Sequence, residues 1–276
     1  MNMNMNINVN VERSVWLFKL LNISYKRKMK VLINGANGRM GKEIAKAIEN
    51  TEDVVVSCGL DIKEEFTKDF PIYDNYKNIK EDVDVIIDFS IPVATFNVLE
   101  YAKENKIPVV IATTGFNEEE LKKIEEYSQY IPIFRSSNMS LDINLMASIV
   151  KKIAEVLQDT DIEITETHHN KKVDAPSGTA ILLADAINEA FEEKKKYNFD
   201  RMQNRKPRDK EEIGFSSIRG GNIVGEHTVQ FFGENETLEI KHTSYSRQVF
   251  AEGAVKAAKY LINQKEGLYS MKDMVN

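Results

Sequence analysis

A short apolar run followed at once by three closely spaced glycines is the feature that most constrains this fold. Val31–Ile33 precedes Gly35, Gly38 and Gly41, and a segment with helical apolar spacing comes next. Glycines let a backbone turn tightly and approach a pyrophosphate closely, and a helix N-terminus offers free N–H groups to an anion. Asp61, at the end of the next apolar segment, is placed to accept hydrogen bonds from ribose hydroxyls. The pattern therefore predicts a dinucleotide-binding βαβ unit rather than a turn that only packs a helix onto a sheet.

Strands and helices continue to alternate through the first half of the chain. The predicted strands are 31–33, 53–60, 83–89, 108–112 and 132–134, with later helices over 93–105 and 118–130. Strands that alternate with helices of this length predict a parallel sheet, and near-continuous Val and Ile runs suit a sheet covered on both faces.

The second half has a different pattern, in which apolar and polar residues alternate. The predicted strands are 161–167, 215–219, 223–232 and 237–243, with helices over 177–193 and 247–263. Such alternation indicates a sheet with one wet face. The polar segment 194–212 carries Arg201, Arg205, Lys206 and Arg208, and it is predicted to be a mobile loop.

The predicted fold class is α/β, with a Rossmann-like parallel-sheet domain and an inserted α+β domain for substrate binding and oligomerisation. Residues 29–138 and 247–276 form the predicted dinucleotide-binding domain, and residues 139–246 form the inserted domain. Residues 1–28 open with a Met/Asn repeat, lack a core-forming pattern and are interpreted as a weakly ordered extension. A basic amphipathic or targeting segment is the alternative for that extension.

Composition argues against several classes of protein. With 37 Lys and Arg against 43 Asp and Glu, the chain of 276 residues carries a formal charge of −6, which argues against nucleic-acid binding. Cys58 is its one cysteine, so an intrachain disulfide framework is ruled out and a reducing cytoplasm is expected. Apolar runs stay far below the roughly 20 residues of a membrane helix, so no membrane partner is expected.

A second motif, Glu166–Thr179, combines adjacent histidines with a Ser-Gly-Thr that begins a predicted helix. Histidine can donate or accept a proton near pH 7, which makes His168 and His169 candidates for acid–base chemistry. Lys172 adds a positive charge, and the N–H groups of 177–179 suit a carboxylate. The segment therefore predicts a site where an anionic substrate gains or loses a proton. A polar loop with a capping serine is the alternative.

The remaining two histidines and the spacing of possible metal ligands predict no further catalytic or metal-binding site. His227 and His242 lie within alternating strand segments, so both are predicted to be structural. No cluster of His, Cys, Asp or Glu in the sequence has the usual metal-ligand spacing, so no metal is expected.

Four segments together resemble the 4-hydroxy-tetrahydrodipicolinate reductase family, also called dihydrodipicolinate reductase. They are 35–41 (GANGRMG), 112–116 (ATTGF), 168–180 (HHNKKVDAPSGTA) and 223–228 (IVGEHT), and the resemblance covers residues 29–276. The segment with the histidines and Ser-Gly-Thr is the specific one. The resemblance implies that NADH or NADPH reduces a cyclic dicarboxylate, after its hydroxyl leaves as water, in the diaminopimelate route to lysine. It also implies a homotetramer formed through the sheet of the second domain.

The resemblance further implies roles for individual residues. His168 is the expected proton donor and acceptor, and Lys172 is a second donor. Contacts with the substrate are expected from His169, Gly178, Thr179 and Thr114, and Arg247 is a further candidate for the cleft. Contacts with the cofactor are expected from Gly35, Ala36, Asn37, Gly38, Arg39, Met40, Asp61, Ala112, Thr113, Thr114, Ser136, Ser137, Asn138 and Met139.

Two departures from the family pattern bear on the choice of cofactor. Residues 90–92 read Ser-Ile-Pro where Thr-Arg-Pro is common, and Ile62 follows Asp61 where an arginine can bind a 2′-phosphate. Arg39 and Lys63 remain close enough in sequence to attract such a phosphate. The balance favours NADH, used at least as well as NADPH.

Two other functions remain open from the residues alone. An amino-acid dehydrogenase of similar two-domain architecture, such as an aspartate dehydrogenase, does not explain the two histidines together with Lys172. A nucleotide-sensing regulatory module needs the first domain but no proton donors, so replacing Lys172 would leave its function intact. A parallel sheet of this kind hosts many functions, so the fold does not choose among them.

Overall fold

The computed structural model describes residues 27–63, 65–66, 69–202 and 206–275, so nearly all of the predicted extension 1–28 lies outside the described residues. The strands are β1 (Met29–Asn34), β2 (Val54–Leu60), β3 (Glu65–Phe66), β4 (Pro71–Tyr73), β5 (Val85–Asp88), β6 (Val109–Ile111), β7 (Pro132–Arg135), β8 (Asp161–His168), β9 (Lys196–Asn198), β10 (Glu212–Arg219), β11 (Gly225–Phe232), β12 (Thr237–Ser244) and β13 (Gly267–Tyr269). The α-helices are α1 (Arg39–Glu49), α2 (Pro92–Asn105), α3 (Glu118–Ser128), α4 (Leu141–Val156), α5 (Gly178–Asn188), α6 (Gln248–Leu261) and α7 (Met271–Val275).

The first sheet orders its described strands β13-β7-β6-β5-β1-β2-β4-β3. These neighbours pair in parallel, except that β3 is antiparallel to β4. The chain runs outward from β1 to β2 and later crosses back to β5 on the other side of β1. Ligands of open α/β sheets bind at the carboxyl ends of strands where the order changes in this way, so β1 and β5 mark the crevice.

Helices cover both faces of this sheet and bury its apolar strands. On one face α1 packs through Ile44 and Ile48, and α6 packs through Ala254, Ala258 and Leu261. On the other face α2 and α3 contribute a second apolar cluster. The strand β5 is buried along its whole length, as a parallel sheet with two covered faces requires. Helix α6 and strand β13 follow the second sheet in the chain, yet they pack against α1 and pair with β7.

The second sheet orders its described strands β12-β11-β8-β10-β9 and is mixed. Strand β8 pairs antiparallel with β11 and parallel with β10. Its burial alternates strictly, with Ile162 and Ile164 facing the helices α4 and α5. The alternation predicted for this half of the chain is therefore confirmed, and one face of the sheet is covered by helices.

The segment predicted to be a mobile loop, 194–212, differs from that expectation in its described part. Strand β9 pairs with β10 there, and Arg201 forms ion pairs with Glu163 and Glu212. Arg208 Nη1 donates to Asp161 Oδ1 over 2.7 Å. Arg201 and Arg208 have partners because acidic side chains of β8 and β10 project from the sheet face opposite α4 and α5.

Candidate active site

The glycine turn after β1 packs tightly against the loop after β5. Gly35 has a φ of 84°, in the left-handed region, and a Cβ on it would lie 2.4 Å from the carbonyl oxygen of Phe89. A Cβ on Gly41 would lie 2.3 Å from the carbonyl oxygen of Gly35, so α1 also approaches the turn closely. Gly38 is the N-cap of α1 and has no capping side chain. The start of α1 therefore presents backbone N–H groups without a competing side-chain oxygen, as an anion-binding helix start requires.

Asp61 lies beside this turn and is held by backbone N–H groups. Its Oδ2 accepts from the N–H of Asn37 over 2.8 Å, and its Oδ1 accepts from the N–H of Ile62 over 2.8 Å. A cavity of about 650 Å³ runs from the turn past Asp61 to the exposed side chain of Ile91. A carboxylate fixed at the mouth of such a cavity suits the hydroxyl donors of a ribose.

A smaller cavity of about 340 Å³ is lined by residues from both halves of the chain. The lining residues are Arg39, Met40, Phe89, Ala112, Ser137, Asn138, Met139, Thr179, Arg247 and Phe250. Asn138 Nδ2 donates to Thr179 Oγ1 over 2.9 Å, and Asn138 Oδ1 accepts from the N–H of Ser140. Residues predicted for the cofactor and residues predicted for the substrate therefore meet at one place.

The remaining residues predicted for the cofactor lie at the same edge of the first sheet. Ser136 Oγ donates to the carbonyl oxygen of Asn138 over 2.8 Å and so shapes the segment between β7 and α4. A Cβ on Gly253 of α6 would overlap the carbonyl oxygen of Met139, so α6 packs against that segment. In the loop after β6, Thr113 is buried and its neighbour Thr114 is exposed.

His168 is the last residue of β8, and a buried carboxylate holds its imidazole. Glu166 Oε2 lies 2.6 Å from His168 Nδ1, and the Glu166 side chain is 1% exposed. Arg219 donates to both carboxylate oxygens over 2.8 and 2.7 Å, and the N–H of Ser177 donates to Oε1 over 3.2 Å. A Cβ on Gly225 would lie 3.0 Å from His168 Nε2, so the glycine leaves that nitrogen room. The arrangement fixes the ring through Nδ1 and leaves Nε2 to exchange a proton with a ligand.

Burial and charge act in opposite directions on this pair. Burial favours a higher pKa for Glu166, but hydrogen bonds from Arg219, Ser217 and His168 outweigh it and lower the pKa to about 2. Burial lowers the pKa of His168 below its usual value, and Glu166 opposes part of that effect. The positive charge of Lys172 lowers the His168 pKa further, so a bound anion that offsets this charge would raise it again.

Lys172 and His169 lie on the loop between β8 and α5. Lys172 Nζ donates to Asp174 Oδ1 over 2.8 Å, so the ammonium group has an acidic neighbour. The N–H of His169 donates to the carbonyl oxygen of Ile223 over 2.8 Å, and its buried Nδ1 has no hydrogen-bond partner within the described ranges. A carboxylate entering the site would compete with Asp174 for the lysine.

The N-terminus of α5 follows this loop and is capped by a side chain. Ser177 Oγ accepts from the N–H of Ala180 over 3.2 Å. No described atom outside its immediate chain neighbours lies within 4 Å of a Cβ built on Gly178, so this end of the helix faces open space. Gly178 lines a cavity together with Ser137 and with Asn144 of α4, and an anion can approach the helix from that side.

His227, predicted to be only structural, lies in this site. It is 4% exposed, its Nε2 is 2.9 Å from Ser177 Oγ, and its ring centre is 5.1 Å from that of His168. Burial lowers its pKa to about 3, so the ring is neutral near pH 7. The sequence does not show that His227, Glu166 and Arg219 lie together, because their meeting depends on strand register. His227 lies opposite Glu166, and Arg219 lies opposite His168.

Metal-binding clusters and membrane spans are both absent from the described part of the chain. Its His, Cys, Asp and Glu side chains form no group of three or more arranged to hold a metal ion. Its helices also lack the combination of length and apolar character that crossing a bilayer requires.

Comparison with protein families gives two adjacent matches. The model described as dihydrodipicolinate reductase, N-terminus, matches residues 29–139, and the model described as dihydrodipicolinate reductase, C-terminus, matches residues 142–275. The boundary between the two models falls between β7 and α4, beside the Asn138–Thr179 contact.

Curated relatives carry a consistent name. A protein of Caldanaerobacter subterraneus subsp. tengcongensis named 4-hydroxy-tetrahydrodipicolinate reductase is 53% identical over 247 residues, which are 90% of this chain and 98% of the relative. A Clostridium novyi protein of the same name is 46% identical over 89% of this chain and 98% of its own length.

Solved structures separate likeness in fold from likeness in sequence. The dipicolinate-bound dihydrodipicolinate reductase of Paenisporosarcina sp. TG-14 has a TM-score of 0.75 and 25% identity, over 88% of this chain and 97% of that one. A myo-inositol dehydrogenase of Corynebacterium glutamicum has a TM-score of 0.54 and 16% identity, over 87% of this chain and 90% of that one. The second likeness shows only a shared fold.

Proposed function

This chain belongs to the dihydrodipicolinate reductase family, and we propose that it reduces 4-hydroxy-tetrahydrodipicolinate to tetrahydrodipicolinate in the diaminopimelate route to lysine, with NADH or NADPH as reductant and His168 as proton donor. The observation that carries the assignment of residues is the smaller cavity. It brings Met40 and Ala112 of the first sheet's edge together with Thr179 and Arg247. Hydride transfer needs the two reactants in contact, and this cavity supports the proposal because residues predicted for each reactant line it, although His168, His169 and Lys172 do not.

The cofactor site fits a dinucleotide through its backbone donors. The close contacts at Gly35 and Gly41 leave no room for a Cβ, and the start of α1 has no capping side chain. In this proposal α1 holds the pyrophosphate, and Asp61 holds the ribose hydroxyls. A bound nicotinamide supplies the hydride. The proposed contacts are Gly35, Ala36, Asn37, Gly38, Arg39, Met40, Asp61, Ala112, Thr113, Thr114, Ser136, Ser137, Asn138 and Met139.

The proposed substrate site is complementary to a cyclic dicarboxylate, because it offers a positive charge and backbone N–H groups to the two negative carboxylates. Lys172 and the start of α5 would bind one carboxylate, with His169, Gly178 and Thr179 beside it and Thr114 on the cofactor side. The net charge of the chain is negative, so this local positive region is what attracts an anion. Charge that develops on the ring nitrogen during reduction is stabilised by the same lysine, more strongly in the transition state than before it.

We assign the proton to Nε2 of His168 and its orientation to Glu166. Because Nδ1 faces an ionised carboxylate, the ring keeps its Nδ1 proton and Nε2 is the exchangeable position. The lowered pKa of His168 makes the protonated ring a stronger acid, and the arriving dianion would raise that pKa and so favour protonation. Lys172 is proposed as the second donor.

We further propose the domain division 29–138 with 247–276, and 139–246, a homotetramer and a cytoplasmic location. The return of α6 and β13 to the first sheet supports the division. The second sheet supports the tetramer, because the face opposite α4 and α5 carries Ile218 and Phe232, which are 51% and 37% exposed. Light scattering on the purified protein measures the assembly, and a monomer would contradict it.

The test of function is the rate of NADH oxidation with substrate freshly generated from pyruvate and aspartate semialdehyde. We expect turnover that depends on both reactants and is greatly reduced in Lys172→Ala. A protein that binds NADH but oxidises it no faster with substrate than without would contradict the proposed reaction. No turnover in the wild type, together with undiminished NADH binding in Lys172→Ala, would favour a regulatory module that only binds the nucleotide.

A further inference from the structure

Asp88 is a fully buried carboxylate to which no basic side chain pairs within the described residues. It is the last residue of β5 and is 0% exposed. Its Oδ1 accepts from Asn34 Nδ2 and Ser90 Oγ over 2.8 and 2.5 Å. Its Oδ2 accepts from Thr95 Oγ1 and Thr113 Oγ1 over 2.6 and 2.9 Å. A carboxylate this deep is costly to bury, so four neutral donors aimed at one group form a specific arrangement rather than packing by chance.

The four donors come from separate pieces of the cofactor edge. Asn34 directly precedes the glycine turn, Ser90 lies in the loop after β5, and Thr113 lies in the loop after β6. Thr95 belongs to the first turn of α2. Asp88 therefore joins the end of β1, the continuous stretch from the loop after β5 into α2, and the loop after β6.

Additional hydrogen bonds show that these loops are coupled to one another. The N–H of Ser90 donates to Thr113 Oγ1 over 2.8 Å, so the threonine hydroxyl is left to donate its own proton to Asp88. Asn34 Nδ2 also reaches Ser90 Oγ over 3.0 Å. The group is centred on the carboxyl end of β5, next to the point between β1 and β5 where the strand order changes and the cofactor crevice is expected.

We propose that Asp88 is a positioning residue that sets the relative places of the glycine turn and the loops after β5 and β6, and so determines the affinity for the dinucleotide. The inference rests on the cofactor site of the proposed function and adds to it a residue that does not touch the cofactor. Asparagine cannot replace it, because an amide presents a donor where one pair of neighbours already donates.

A purely structural role would give a different result from a positioning role. In the structural case, Asp88→Asn lowers the melting temperature, and the protein that remains folded binds NADH as the wild type does. In the positioning case, the folded variant binds NADH more weakly and keeps its affinity for dipicolinate, the ligand of the Paenisporosarcina structure, which reports on the other half of the site.

The experiment measures NADH and dipicolinate dissociation constants by fluorescence titration on folded wild type, Asp88→Asn, Thr95→Val and Thr95→Ser. We expect Asp88→Asn to weaken NADH binding at least about tenfold and Thr95→Val roughly fivefold, the scale of lost buried hydrogen bonds. Thr95→Ser keeps the hydroxyl and should match the wild type. Dipicolinate affinity should be unchanged in all three variants.

The outcomes separate this inference from the proposed function. Wild-type NADH affinity in folded Asp88→Asn overturns the inference. If that variant does not fold, equal NADH affinities of Thr95→Val and Thr95→Ser overturn it instead. A wild type that binds NADH without reducing the substrate overturns only the proposed function. A wild type that binds neither NADH nor NADPH overturns both.

Discussion

The N-termini of α1 and α5 are both proposed to bind an anion, and they are built in opposite ways. At α1 the glycine turn (35–41) does it with backbone alone, through close approaches at Gly35 and Gly41 that exclude side chains. At α5 a capping Ser177 contacts the neutral His227 and rests on a charged cluster, which we define as Glu166, His168 and Arg219. The difference teaches that the first site should be sensitive to added volume and the second to lost charge.

The largest expected effect is chemical and lies in the charged cluster. His168→Gln should lower kcat by about 10²–10⁴-fold, the range of general acid catalysis, and leave NADH affinity unchanged. Steady-state kinetics and a NADH titration measure the two quantities. His242→Gln is the matched control, because that ring lies on β12 and we assign it no role. Near-wild-type turnover in His168→Gln would reduce the motif to a structural loop.

Loss of charge in the same cluster should be the largest effect on stability. Arg219→Met leaves Glu166 buried without its cation and should lower the unfolding free energy by about 3–5 kcal/mol at neutral pH. The Glu166 pKa of about 2 lies below its ordinary 4.5, so the stabilisation is complete above pH 4.5 and is lost as pH falls towards 2.

Urea denaturation across that pH range measures the effect, and the gap between Arg219→Met and wild type should narrow as the pH falls. The control is Arg27→Met, which removes an exposed ion pair with Asp84 and should change the unfolding free energy by at most ~1 kcal/mol. Equal effects of the two substitutions would contradict the role given to Arg219.

The next largest effect should come from adding a methyl group at each helix start, which should destabilise the protein at α1 but not at α5. Gly41→Ala places a Cβ against the carbonyl oxygen of Gly35, so we expect a loss of ~1–3 kcal/mol in stability and weaker NADH binding. Gly178→Ala places its Cβ in open space and should leave the melting temperature unchanged while raising the KM for the substrate. Thermal melts and steady-state kinetics on both variants measure these effects. A lower melting temperature in Gly178→Ala would contradict the predicted difference between the two helix starts.

The pH dependence of kcat/KM should shift in a definite direction when the carboxylate is removed. As a general acid, His168 must be protonated, so kcat/KM falls as pH rises through its pKa. Glu166 raises that pKa, so Glu166→Gln should move the falling limb to lower pH. The pH profile of kcat/KM is measured for both proteins at saturating NADH. If the falling limb of Glu166→Gln lies at the same pH as that of the wild type, a group other than His168 is titrating.

The smallest expected effect is the choice between cofactors. NADH should serve at least as well as NADPH, because Asp61 repels a 2′-phosphate and Ile62 offers it no cation. A preference for NADPH above roughly tenfold, which is about 1.4 kcal/mol, would show that Arg39 or Lys63 dominates. Ile62→Arg sharpens the test and should raise kcat/KM for NADPH.

Local signals were enough to predict the alternation of the first half, the glycine turn and the site motif. Helix α4 carried such a signal too, in the N-cap Ser140 and the spacing of Ile143, Met146 and Val150, yet no element was predicted there. The charged cluster, in contrast, could not be predicted from local signals. Glu166 and Arg219 meet because β8 and β10 pair in one register, and no residue near either one encodes that register.

Partner charges explain the other difference between prediction and structure. The basic residues of 194–212 suggest a solvated segment when they are considered alone. Glu163 and Glu212 lie on the exposed side of the second sheet and attract them. The position of acidic residues across a sheet decides whether such a segment is held, and this depends on tertiary structure.

The return of α6 and β13 to the first sheet governs the order in which a nascent chain can close. Ala254, Ala258 and Leu261 belong to the same apolar cluster as Val31 and Ile33, so one face of the first sheet is covered only in part, by α1, until α6 has left the ribosome. The second sheet and its helices are continuous in sequence and can close earlier. The first domain can therefore be completed only after the second has been synthesised, which departs from the usual N-terminal-first order.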